Sequence, residues 1–166
     1  PMSPRLRSPL SALLLGLAIV LAPPFASAED WPYWRGPFRN GFTSEKLGIS
    51  GRQEAKIVRR WTRNVGEGCG SVAVWQGKVF VTGWRDGSEM VFCLSERDGA
   101  VIWSQNYPCP KYGRHATGDQ EWYSGPTATP TVDPSTGYLY TLGADGDLRC
   151  WDGSDRGNLV WGINLY

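Results

Sequence analysis

The sequence predicts an all-β chain built from small antiparallel sheets that repeat along its length. Residues 91–103, VFCLSERDGAVIW, set an apolar quartet before a polar turn closing on Asp98-Gly99, then a second short apolar run ending in Trp103. Short β-branched and aromatic runs around such a turn form a hairpin, and Gly99 supplies the positive φ that the turn needs. The same layout returns at residues 148–161, LRCWDGSDRGNLVW, again with a glycine four residues before the tryptophan. Composition agrees: 21 Gly, 12 Pro and 9 Trp in 166 residues, with few apolar patterns of helical period, describe a turn-dense, aromatic-rich β chain.

Residues 1–28 are expected to be a signal peptide and not part of the fold. Arg5 and Arg7 precede an apolar run from Leu10 to Ala22, and Ala26-Ser27-Ala28 gives a small-x-small cleavage site. That run falls short of the roughly 20 residues a membrane-spanning helix needs, so no span is expected after cleavage near Ala28. No cysteine lies between Leu10 and Glu29 to carry a lipid. The expected location is therefore secreted or periplasmic. A net charge of +1 gives no electrostatic reason to expect nucleic acid as a partner.

Residues 29–56 form an aromatic lead-in. Trp31, Trp34 and Phe42 stand among Pro32, Pro37 and the turn pair Asn40-Gly41, a mixture that excludes a helix and suits packing onto the body of a domain. Residues 57–166 hold the repeats. The stretch KIVRRWTRNV at 56–65 reads as a leading strand, the last piece of an earlier repeat, because Trp61 has the look of Trp103 and Trp161. SVAVW, KVFVT, the run 90–94 and the run starting at Val101 then make four strands joined by short turns. After an inserted loop at 106–125, four more follow: TATPTVD, YLYTLG, DLRCW and LVWGINL. A four-stranded meander is the size of a propeller blade, and the 42 residues from Trp61 to Trp103 fall within the roughly 40 to 50 of such repeats. The expected fold is thus a partial β-propeller of about two four-stranded antiparallel blades plus a leading strand.

The cysteines divide in two. Cys93 and Cys150 occupy equivalent repeat positions, which sets them side by side and pointing the same way; both read as small buried residues. Cys69 and Cys109 lie in loops and are the pair that a disulfide would join in an oxidising compartment.

The spacing of residues 93–103 resembles the AxDxxTGxxxW tryptophan-docking motif of the pyrroloquinoline-quinone-type (PQQ-like) propeller repeat, with Cys93 for Ala, Ser95 for Asp and Asp98 for Thr. Cys150, Asp152, Gly157 and Trp161 fit it with one inserted residue, and the lead-in WPYWRGPFRNG is similar to the start of secreted bacterial proteins of that group. The resemblance implies that Trp61, Cys93, Gly99, Trp103, Cys150, Gly157 and Trp161 are structural repeat positions, each indole packing beneath a turn glycine of its own or a neighbouring blade. It is informative about fold and weak about activity, since the repeat serves both quinoprotein dehydrogenases and non-enzymatic scaffolds.

Two functions follow as expectations. The first is a non-catalytic binding or scaffold module, with a protein or small ligand as partner and no evident cofactor. The alternative is an N-terminal fragment of a PQQ-dependent alcohol or sugar dehydrogenase, which the resemblance would equip with PQQ and calcium. Against the alternative, no two cysteines are adjacent, and Asp145, Asp147, Asp152 and Asp155 lie in turn sequences that do not match an EF-hand loop. The remaining candidate is the inserted loop, where His115, Asp119, Glu121 and Trp122 concentrate polar and aromatic chemistry; long loops carry binding function more often than a lone histidine marks a metal. Propellers close with about four to eight blades, so an incomplete ring with missing blades, or self-association through open faces, is expected.

Overall fold

The structure, a computed structural model, describes residues 28–46, 56–114, 122–154 and 156–166. The described chain is all-β: β1 (Ala73–Trp75), β2 (Lys78–Arg85), β3 (Ser88–Ser95), β4 (Val101–Pro108), β5 (Thr131–Asp133), β6 (Tyr138–Leu142), β7 (Asp147–Asp152) and β8 (Leu159–Asn164). They make two four-stranded sheets in sequence order, β1-β2-β3-β4 and β5-β6-β7-β8, every neighbouring pair antiparallel. This is the two-sheet, all-β organisation that the repeats predict. The expected signal peptide lies outside the described residues, apart from Ala28.

Register explains why the repeats look alike. Cys93 faces Trp103 across β3–β4, and Cys150 faces Trp161 across β7–β8; each ladder shifts register immediately afterwards. Each bulge brings a hairpin turn that ends in a positive-φ glycine, Gly99 (φ 68) or Gly157 (φ 65). In the first hairpin Ser95 accepts from Gly99 N at 2.8 Å, and Asp98 Oδ1 accepts from Ala100 N at 3.1 Å.

The two sheets pack face to face. Ala73, Phe80, Val91, Cys93, Trp103 and Tyr107 of the first share one buried cluster with Val132, Leu139 and Trp151 of the second. The Phe80 and Trp103 rings lie 6.0 Å apart, and Tyr107 stacks on Trp151 at 6.3 Å. The opposite face of the first sheet, Val79, Val81, Phe92 and Leu94, is covered by Trp61 and Val65. Alternation along β2 therefore sends side chains into two cores, which is why it reads as a continuous apolar run rather than an alternating one.

The expected leading strand is corrected. Residues 56–66 form no ladder; the nearest pairing is an isolated bridge from Glu67 to Trp84. A strand exists only where a neighbour takes its backbone groups, and this segment covers the first sheet through side chains instead. The lead-in does join the body: Trp31 and Val74 exchange backbone hydrogen bonds at 2.8 and 2.9 Å, and Pro32 O accepts from Val132 N at 2.8 Å.

Candidate functional site

β4 extends to Pro108, so the inserted loop begins at Cys109 and not at residue 106. Its start meets the β2–β3 and β6–β7 turns at one end of the paired sheets. Cys109 N donates to Gly87 O at 3.0 Å, and Trp84 Nε1 donates to Cys109 O at 2.9 Å. Gly125 N donates back to Lys111 O at 2.9 Å, which pins the loop's return.

Beneath this end lies a buried polar cluster. Glu89, 1% exposed, sits opposite Tyr107 in the β3–β4 ladder and accepts a short hydrogen bond from the Tyr107 hydroxyl. Its other oxygen accepts from Ala144 N of the β6–β7 turn at 2.6 Å, so one carboxylate of the first sheet holds a turn of the second. Close approach there requires Gly143, where an added Cβ would stand 2.4 Å from Glu89 Oε2. Burial first, and the Glu89 charge second, push the Tyr107 phenol upward, so it stays a proton donor. The Arg149 guanidinium lies 3.8 Å from the Tyr107 ring centre, on the path of a cation–π contact. Asp145 accepts from Arg114 Nη2 at 2.6 Å and from Arg114 N at 2.8 Å, tying the inserted loop to the same turn.

Above the cluster opens a cleft of about 210 Å³, lined by Lys111, Tyr112, Gly113, Tyr123, Gly125, Thr127 and Ala144. Lys111 Nζ is held 2.8 Å from Glu67 Oε2. Ser124 Oγ donates to the same carboxylate at 2.5 Å, and these two hydrogen bonds hold Glu67 below the usual carboxylate range.

The residues singled out from sequence fall in different places. His115, Asp119 and Glu121 lie outside the described residues, and Trp122 is 78% exposed and not part of the cleft lining. Trp61 and Trp103 each press on a hairpin glycine of the sheet that follows them. A Cβ on Gly99 would stand 2.6 Å from the Trp61 ring, and one on Gly157 would stand 2.4 Å from the Trp103 ring. Trp61 Nε1 also donates to Glu96 O at 2.8 Å, whereas Trp103 Nε1 finds no acceptor among the described residues. Trp161 has no such glycine beneath it among the described residues and is 43% exposed. Cys93 and Cys150 are fully buried.

Cys69 and Cys109, the candidate pair for any disulfide, are not joined: all four cysteines are free, Cys69 exposed and Cys109 buried. Cys109 turns inward toward Glu89, and burial followed by that charge pushes its thiol up to about 12. Asp145 and Asp147 are engaged by Arg114 and Arg149, and Asp152 caps its own turn through Ser154 N at 2.9 Å. Among the described residues no three His, Cys, Asp or Glu side chains group to hold a metal ion.

Sequence reasoning missed Glu89. Its signal was alternation: Glu89 stands two and four residues before Val91 and Cys93, so it shares their inward face.

Two stacked four-stranded meanders, pinned by indole-on-glycine contacts, define this as an all-β repeat chain of propeller-blade type. No family model matches the sequence, and no curated protein matches it. Among solved structures it is similar to a quinohemoprotein alcohol dehydrogenase from Pseudomonas putida HK5, at 24% identity and a TM-score of 0.46, over 64% of this chain and 15% of that enzyme.

Proposed function

We propose that this chain is an exported, non-catalytic interaction module of the PQQ-like propeller repeat class, binding a partner protein through its inserted-loop end. The observation that carries this is the Lys111–Tyr112–Tyr123 cleft, set over a turn that Glu89 and Asp145 fix from below. Its volume of about 210 Å³ is below the roughly 300–1,000 Å³ of pockets that enclose drug-sized ligands, which suits one protruding side chain of a partner. Tyrosines at such a position supply contact area at low entropic cost. Export rests on the pattern of residues 1–28, and the repeat class on the spacing of residues 93–103 and 150–161.

Probing the folded protein with an array of synthetic peptides tests the proposal. Peptides that bind should lose at least about tenfold in affinity when Tyr112 and Tyr123 are both replaced by Ala, with thermal unfolding unchanged. Dye-linked alcohol or sugar oxidation on addition of PQQ and Ca²⁺, with no peptide bound, would overturn it in favour of a dehydrogenase fragment.

A further inference from the structure

Lys111 stands between two clefts, and the second is not part of the site described above. The first is the Lys111–Tyr112–Tyr123 cleft of about 210 Å³; the second, of about 310 Å³, is lined by Asn64, Gly66, Glu67, Trp84, Arg85 and Asp86. The ion pair from Lys111 Nζ to Glu67 Oε2 at 2.8 Å divides them. The same ammonium lies 5.5 Å from the centre of the Trp84 ring and 5.8 Å from that of Tyr112. The two rings are therefore separated by no more than those distances laid end to end, about 11 Å.

Both rings are fixed before anything binds. Trp84 Nε1 donates to Cys109 O at 2.9 Å, and the Trp84 backbone exchanges hydrogen bonds with Glu67 at 2.7 and 2.9 Å. Tyr112 sits between two pinned residues: Lys111 O accepts from Gly125 N at 2.9 Å, and a Cβ on Gly113 would stand 2.0 Å from Ala144 O. An aromatic surface held this way loses little freedom on binding.

Three ways of holding a peptide can be compared with this surface. Strand addition needs an open sheet edge, but Trp84 pairs with Glu89 on one side and bridges Glu67 on the other. The first cleft is lined entirely by residues outside the strands. A helix needs one continuous apolar groove, which the Glu67–Lys111 pair interrupts. A polyproline II segment needs neither, because it rests its prolines on separate aromatic patches, and three of its residues advance about 9 Å, within the span of the two rings. The polar chemistry agrees. Tyr112, Tyr123, Thr127, Asn64 and Arg85 bring hydrogen-bond donors to the lining, and of the two carboxylates Glu67 is already taken by Lys111 and Ser124. A proline-rich backbone offers carbonyl acceptors and few N–H groups, so it suits a donor-rich surface.

We infer that the two clefts together receive a proline-rich segment of the partner in the polyproline II conformation, one proline on Tyr112 and a second, three residues away, on Trp84. The inference rests on the proposed function and deepens it by naming the chemistry of the segment that is bound.

The test is a peptide array probed with the whole folded chain. Two prolines are set two, three or four residues apart within randomised flanks, beside proline-free peptides of the same length. Peptides with the spacing of three should dominate the binders several-fold, and replacing either proline of a bound peptide with Ala should weaken it about tenfold. Tyr112→Ala should weaken the same peptides by about as much. In protein labelled with 5-fluorotryptophan, the Trp84 resonance, assigned with Trp84→Phe, should shift when they are added. Equal binding by proline-free peptides, or indifference to the spacing, would overturn the inference; loss of that binding on replacing Tyr112 and Tyr123 with Ala would still uphold the proposed function. A Trp84 resonance that stays in place under bound peptide would overturn the inference as well. Absence of any bound peptide would overturn both readings, and a Trp84 resonance that moves with cellohexaose instead would assign the clefts to a glycan and overturn the inference.

Discussion

Replacing Gly157 with Ala should destabilise the chain well beyond the same change at a turn glycine with open space beside it. The residue has φ +65, and the new Cβ would lie 2.4 Å from Cε3 and 2.6 Å from Cδ2 of Trp103, a ring that is 7% exposed. Left-handed backbone costs an L-residue about 1–2 kcal/mol. Displacing a packed indole adds about 1–3 kcal/mol, so the total is about 2–5 kcal/mol, a large share of the roughly 5–15 kcal/mol that holds a domain together. Gly87 provides the comparison: φ is +81, and nothing lies within 4 Å of its Cβ position, so Gly87→Ala should cost only the backbone part, about 1–2 kcal/mol. Trp103→Ala alone should cost about 3–5 kcal/mol. In that background Gly157→Ala should fall back to the Gly87 value, giving a coupling of about 1–3 kcal/mol in a double-mutant cycle read by urea unfolding. Strict additivity, or equal costs at Gly157 and Gly87, would refute indole-on-glycine docking as the contact that joins the sheets.

Other consequences are as specific. Glu89→Leu leaves Ala144 N and the Tyr107 hydroxyl without their acceptor and should lower stability by about 2–4 kcal/mol, visible as a lower midpoint in thermal unfolding and as faster amide exchange in the β6–β7 turn. An aromatic disulfide reagent at neutral pH should label Cys69 at once and Cys93, Cys109 and Cys150 only on unfolding; fast labelling of two or more would contradict the burial. Burial pushes the Cys93 thiol up to about 11 and Cys109 up to about 12, against an ordinary 9.0. Above pH 9 the unfolded chain therefore releases protons that the native chain keeps. Stability should be fully present below pH 9 and decline as pH rises through 11 to 12, and a Cys93→Ala, Cys109→Ala variant should show a shallower alkaline decline in urea midpoints. A midpoint rising across that window would contradict the assignment.

Much of the fold is local and was legible for that reason. Apolar runs broken by Gln76-Gly77, Arg85-Asp86-Gly87 and Asp98-Gly99 specify hairpins through turn chemistry alone, and the meander order follows from short connections. What failed depended on partners distant in sequence. The segment around Trp61 has strand composition, yet among the described residues no strand pairs with it, and it covers the first sheet with Trp61 and Val65 instead. Cys109 stands between two prolines like a loop residue, but its backbone is gripped by Gly87 and Trp84 and its side chain is turned inward, away from any pairing with exposed Cys69. The candidate site was found only in outline: the inserted loop was visible as a break in the repeat, whereas Tyr112 and Tyr123 became a cleft, and Glu89 its foundation, only once β3, β4 and the β6–β7 turn were brought together.

The most direct check on this account is the proton spectrum of the hairpin glycines. An indole face held against a methylene shifts its Hα protons upfield, so Gly99 and Gly157 should both be displaced, by Trp61 and Trp103 respectively, while Gly77 and Gly87 remain at ordinary positions. Replacing each tryptophan with Leu should return its own glycine alone to the ordinary range. Unshifted Hα protons at Gly99 or Gly157 in the folded chain would contradict the account.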